Sequence, residues 1–103
     1  MEPWIYIVRV GRYVKIGGTN DLRRRIREID RRRGCKFPSD IEDVPAELIG
    51  TLWGSEDCER ALHQAFSDLH VVGEWFRYEG RMVDWCAKRS GSLPLPPGQI
   101  PRF

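Results

Sequence analysis

Tyr6, Lys15, Arg25, Glu59 and His63 are the side chains of this 103-residue chain whose types suit a single piece of chemistry. A phenol, an ammonium, a guanidinium, a carboxylate and an imidazole together fit metal-assisted cleavage of a phosphodiester. The Glu59 carboxylate would hold a hard Mg2+, which keeps several waters and needs few protein ligands. The metal would steady the leaving oxygen. Arg25 and Lys15 would hold the scissile phosphate and its developing charge. Tyr6 or His63 would take a proton from water.

The elements around these residues must bring them together. Residues 4 to 17 predict a β-hairpin, because Trp4–Val10 and Tyr13–Ile16 are rich in β-branched and aromatic residues. Gly11-Arg12 fits a two-residue type II′ turn, with glycine at its first central position. That turn pairs Val10 with Tyr13, Val8 with Lys15, Ile7 with Ile16 and Tyr6 with Gly17. Ile5, Ile7, Val14 and Ile16 then share one face, and Tyr6, Val8, Tyr13 and Lys15 the other. Residues 21 to 30 predict an amphipathic helix with Leu22, Ile26 and Ile29 on its apolar stripe and Thr19, Asn20 or Asp21 as N-cap. Arg25 falls on that stripe. A guanidinium stays charged and costs several kcal/mol to bury unpaired. Arg25 therefore either reaches into a cleft to meet an anion or snorkels at the rim of the core. Gly17-Gly18 before the helix would let backbone come close to a phosphate.

Residues 31 to 46 read as a polar loop, and Glu47–Trp53 as a third strand with Leu48, Ile49, Leu52 and Trp53 as its apolar content. A second helix is predicted from a Ser55 cap to about Leu69, with Cys58, Leu62, Ala65, Phe66 and Leu69 as its stripe. Glu59 and His63 are i, i+4 neighbours on one edge of it. Gly73-Glu74-Trp75-Phe76 follows; Glu74 is read there as a supporting residue, with the two aromatics closing the core. A short third helix spans roughly Glu79 to Lys88. The proline density of residues 90 to 103 favours an extended tail. The division is thus a domain over 1–89 and a Pro-rich extended or disordered tail over 90–103.

Residues 1 to 36 hold 11 basic and 4 acidic side chains, a net +7, against a net −5 over the remainder. Arg23, Arg24, Arg27, Arg31, Arg32 and Arg33 lie in that basic half. Arginine forks match phosphate geometry, and a one-sided basic field attracts polyanions. These six are read as DNA-backbone contacts on an otherwise solvated face. Cys35, Cys58 and Cys86 are far apart and form no Cys-x-x-Cys pair. They argue for a reducing compartment and against a zinc or disulfide framework. No run of about 18 apolar residues or signal-peptide pattern is present, so a cytoplasmic protein without a membrane span is expected.

Four blocks in order carry a family resemblance: Trp4-Ile5-Tyr6, Lys15-Ile16-Gly17, Arg25 in a following helix and Glu59 in a later one. Together they resemble the GIY-YIG nuclease superfamily, in its branch with Lys-Ile-Gly at the second block. That branch is widespread in phages and bacteria and includes meiotically up-regulated gene proteins. Glu59-Arg60-Ala61-Leu62-His63-Gln64-Ala65-Phe66 and Gly73-Glu74-Trp75-Phe76 resemble its other marks. The resemblance covers residues 4 to 77. It implies a small α/β fold, with a three-stranded, mainly antiparallel sheet flanked by helices. It also implies one divalent ion, Mg2+ or Mn2+, on Glu59, phosphate contact by Arg25, and Tyr6 assisting as or beside a general base. Lys15 stands where many members have tyrosine and cannot act as a phenolic base. Tyr13, on the same face, is the phenol that would substitute.

The expected activity is therefore a metal-dependent endonuclease acting on double-stranded DNA. So small a domain has little surface for base reading, so intrinsic sequence specificity should be low. A homodimer or a partner would supply selectivity. Two alternatives follow from other features: a nucleic-acid-binding module with weak or lost cleavage, from Lys15, and a phage or host protein-interaction factor, from the tail and the acidic second half.

Overall fold

Alternating β-branched and aromatic residues on both sides of Gly11-Arg12 produce the expected hairpin. In a computed structural model, which describes residues 4–54 and 56–89, β1 (Trp4–Val10) and β2 (Tyr13–Thr19) pair antiparallel. The register matches the sequence reading at Val10↔Tyr13, Val8↔Lys15, Ile7↔Ile16 and Tyr6↔Gly17. Gly11 has φ +58°, as the first central residue of a type II′ turn requires.

α1 (Leu22–Asp30) follows, and Asp21 is its N-cap: the Asp21 carboxylate accepts from the Arg24 backbone N–H at 3.1 Å. β3 (Glu47–Trp53) has the predicted bounds and lies antiparallel to β1. A bulge shifts its register between Ile7 and Val8. The extra residue explains why β3 alternates poorly in sequence. α2 (Glu56–Ala65) ends earlier than predicted, and Ser67–Leu69 form a separate 3-10 turn. Of the expected α2 stripe, Phe66 and Leu69 are buried and Leu62 is half-buried, whereas Cys58 and Ala65 are exposed. α3 (Arg81–Arg89) closes the described chain.

The sheet has five strands, not the expected three. β4 (His70–Val72) and β5 (Trp75–Arg77) form a second hairpin, and the strand order is β3-β1-β2-β5-β4. β5 pairs antiparallel with β2, placing Trp75 opposite Lys15. The Ile16 N–H continues the ladder by donating to the Glu74 carbonyl at 3.1 Å.

Both faces of the sheet are covered, each by a distinct core. Ile5, Ile7, Val14, Ile16 and Phe76 pack with Phe66, Leu69, Met82 and Cys86 on the α2 and α3 side. Trp4, Tyr6, Val8, Val10, Tyr13 and Trp75 pack with Leu22, Ile26 and Ile29 of α1 on the other. Among the described residues no helix is long and apolar enough to cross a membrane. Ser55 and the 90–103 tail lie outside the described residues.

Candidate active site

The site forms where β2, α2 and the β4–β5 turn meet, and its geometry begins with Gly17. A Cβ at Gly17 would lie 2.5 Å from the Tyr6 hydroxyl and 2.7 Å from Glu74 Oε1. Glycine therefore leaves the space in which a phenol from β1 and a carboxylate from the β4–β5 turn converge. Lys15, two residues back on the same face of β2, is only 2% exposed, and its Nζ donates to Glu74 Oε1 at 2.5 Å. Its ammonium also lies 5.9 Å from the ring centroids of Tyr6 and Trp75. A buried ammonium requires such a counter-charge.

α2 brings the other groups. Glu59 is 14% exposed, and His63 Nε2 lies 3.8 Å from Glu59 Oε1. His63 Nε2 is also 2.7 Å from the Ile16 carbonyl. A carbonyl only accepts, so this nitrogen carries hydrogen and donates to it. The ring is thereby tied to β2, packed edge-on against Phe76. Glu59, His63 and Glu74 each offer a ligand atom within 4.8 Å of the others. They border a cleft of about 370 Å³ lined also by Glu56, Arg60 and Gly73.

Electrostatics set the protonation of these groups. Burial first, and then the Glu74 carboxylate, raise the Tyr6 phenol well above its ordinary value, against an opposing pull from Arg25. Tyr6 is thus neutral at neutral pH and acts as a hydrogen-bond group. Burial works against ionisation of Glu74, but a hydrogen bond with Glu59 and the Lys15 charge outweigh it, holding the carboxyl below its usual range.

Arg25 sits between its two sequence readings. Its side chain is 30% exposed, with Nη1 3.6 Å from Glu28 Oε1. Its Nε is buried and has no hydrogen-bond partner. An unsatisfied buried guanidinium N–H is costly, and an anion would satisfy it. Arg25 lines a smaller cleft of about 170 Å³ with Thr19, Asn20, Asp21, Arg24 and Glu28.

A T5orf172 domain profile matches residues 3–90. The chain belongs to the T5orf172 domain family. Neither a curated protein nor a solved structure matches it. The matched span of this T5orf172 domain takes in every described element and every residue of the cluster.

Within the T5orf172 domain, the structure places Tyr6, Lys15, Glu59 and His63 around Glu74, with Arg25 close enough for its charge to act on Tyr6. Tyr13 is engaged elsewhere: its hydroxyl donates to Asp40 at 2.5 Å, and that bond raises its pKa. Of the arginines, Arg23, Arg24, Arg27, Arg31 and Arg33 are exposed. Arg32 is instead half-buried and bonds the carbonyls of Ile29, Asp30, Glu42 and Val44. Glu74 is the residue whose place the sequence reading understated. No periodicity marks a turn residue. The available signal was Lys15, whose position on an apolar strand demanded an anion.

Proposed function

We propose that this chain is a metal-dependent endonuclease of the GIY-YIG kind, hydrolysing phosphodiester bonds in DNA with low intrinsic sequence specificity. The observation that carries the reading is the convergence of Glu59, His63 and Glu74 on one cleft, with Tyr6 and Lys15 meeting Glu74 over Gly17. Two carboxylates and an imidazole with donor atoms within 4.8 Å suit a divalent cation. Glu59 and Glu74 would be the oxygen ligands of Mg2+ or Mn2+. His63, with Nε2 committed to Ile16, would steady α2 against β2. When bound, the cation would acidify water and neutralise phosphate charge.

The remaining steps belong to side chains. Arg25, through its unpaired Nε, would hold a nonbridging phosphate oxygen and stabilise the charge that builds there. Tyr6, neutral, would donate its O–H to the attacking water or to the phosphate. Glu74, held ionised, is the group able to accept the water's proton. Lys15 keeps Glu74 ionised rather than replacing the tyrosine of other family members. The exposed α1 arginines would contact the DNA backbone. The widely spaced Cys35, Cys58 and Cys86, with no Cys-x-x-Cys pair among them, suit a reducing, cytoplasmic setting.

A DNA-binding module without turnover is the second reading. The Lys15–Glu74 pair favours it, because it fills the position of a second phenol. The deciding experiment is conversion of supercoiled plasmid in Mg2+, Mn2+ or EDTA by wild type, Glu59→Gln and Arg25→Ala. The nuclease reading expects metal-dependent nicking, reduced about 100-fold or more in each variant. Unchanged cleavage by Glu59→Gln sinks the mechanism. Salt-sensitive retention of DNA without strand breaks supports the module instead.

A further inference from the structure

Trp53 ends β3 on an edge of the sheet and is 67% exposed. The other tryptophans are covered: Trp4 is 3% exposed, Trp75 is 0% exposed, and Trp85 is half-buried. A mostly solvent-facing indole of this kind gains little from folding. Yet its position is held, because Trp4 packs against it edge to face at 4.7 Å and 83°. Trp4 is its cross-strand partner, so Trp53 projects from the α1 side of the sheet, the side of Tyr6 and Lys15.

The neighbourhood is polar and carries both charges, with Arg24 and Arg25 as its cations beside Asp21 and Glu28. Trp4 pairs with Trp53 on one side and with Thr19 on the other. Thr19 leads into the N-cap of α1 and the small cleft lined by Arg24 and Arg25. Adjacent strands are about 4.8 Å apart, so Trp53 stands about 10 Å across the sheet from Thr19. It is two residues along β3 from Thr51, the partner of Tyr6, hence about 7 Å along the strand direction. An exposed aromatic face about 10 Å from a cleft that holds Arg24 and Arg25 has the composition that binds unpaired nucleic acid: a base stacks on the ring while the cations hold the neighbouring phosphate.

We infer that Trp53 is a stacking platform for an unpaired nucleobase, so that the site takes DNA carrying at least one unstacked base close to the cleaved phosphate. This rests on the nucleic-acid reading of the same face. It narrows the substrate from intact duplex to duplex with a gap, flap or single-stranded stretch. An apolar protein partner would find the charged cleft of Asp21, Arg24, Arg25 and Glu28 where it needs apolar surface.

The test is binding in EDTA, where cleavage cannot contribute, with a short single strand, a gapped duplex and a blunt duplex of equal length. Wild type, Trp53→Phe and Trp53→Ala are compared by anisotropy. Tryptophan fluorescence with acrylamide follows Trp53, the most exposed of the four indoles. Single strand should shield it and quench its emission. Trp53→Ala should weaken single-strand and gapped-duplex binding roughly ten-fold, and blunt-duplex binding less than about two-fold. Trp53→Phe should restore most of the loss. Equal loss on all three DNAs, or no shielding, overturns the inference. So does shielding that rises with protein concentration without DNA and accompanies a dimer on sedimentation, since a second copy then covers the ring. Base stacking by a protein that never nicks plasmid leaves the inference standing and removes the nuclease reading. Nicking that ignores Trp53 does the reverse.

Discussion

A methyl group is enough to separate the groups that meet over Gly17. In Gly17→Ala the new Cβ would press on the Tyr6 hydroxyl and Glu74 Oε1. Both belong to side chains held in a packed region, so the expected cost is about 1–3 kcal/mol. Plasmid nicking should fall by far more than the stability loss explains; urea unfolding beside the nicking assay separates the two. Glu74→Gln would leave the Lys15 ammonium buried without a counter-charge. A loss of about 1–3 kcal/mol is expected, toward the low end because Glu74 is 37% exposed. Its pH dependence has a definite sign. The folded state holds Glu74 below its ordinary value of 4.5. Its contribution is therefore present above that value and is lost as pH falls through the lower folded one. The gap between wild-type and Glu74→Gln urea midpoints should close on acidification below 4.5; a gap indifferent to pH would mean that the ion pair does not carry it. Lys15→Met should cost less stability than Glu74→Gln, since the carboxylate it orphans is 37% exposed and can be hydrated, yet shift the acid limb of cleavage to higher pH.

At the scale of elements, α1 divides its arginines between two jobs. Arg32, with φ +57°, straps the end of α1 to the following loop through the Ile29, Asp30, Glu42 and Val44 carbonyls. Arg32→Ala should cost about 1–3 kcal/mol by leaving these acceptors unmet. Arg23→Ala and Arg31→Ala should leave the thermal midpoint unchanged and weaken DNA binding. The reverse pattern would mean that the exposed row has no ligand. Asp21→Ala removes the N-cap of the helix that aims Arg25, for about 1 kcal/mol. The β4–β5 hairpin has a comparable role: three-residue strands are too short to stand alone, and pairing with β2 is what holds Glu74 opposite α2.

Across the whole molecule, charge and metal binding are the measurable handles. The basic first third and the acidic remainder make a polar molecule with net charge of only +2. Binding to DNA should weaken steeply with salt, with a slope of about −0.9 per phosphate contact in a log–log plot. Replacing Arg23, Arg24 and Arg27 together should flatten that slope. A cation that binds the folded state alone raises its stability, by about 2.7 kcal/mol at a hundred times the dissociation constant. Mn2+ should therefore raise the melting temperature of wild type but not of the Glu59→Gln, Glu74→Gln double variant. An equal rise in both would place the ion elsewhere.

The hairpin register, the bounds of β3, the course of α1 and the placing of Glu59 and His63 one turn apart on α2 were legible in the sequence. Each follows from a local rule: a two-residue turn fixes pairing, and a 3.6-residue period selects a helix face. β4 and β5 were not legible, because three residues are too few to show alternation. Trp75 and Phe76, moreover, bury themselves in opposite cores, leaving no polar face to read. The early end of α2 was hidden for a related reason, since its apolar period runs on into the 3-10 turn. Tertiary pairing alone decided where Glu74 points, because a turn residue's direction depends on which strand its hairpin joins. It alone separated Arg32, a strap, from the exposed arginines, and left Trp53 in solvent at an edge that no strand covers among the described residues. Local chemistry determines which residue types are available. Long-range packing determines which of them meet.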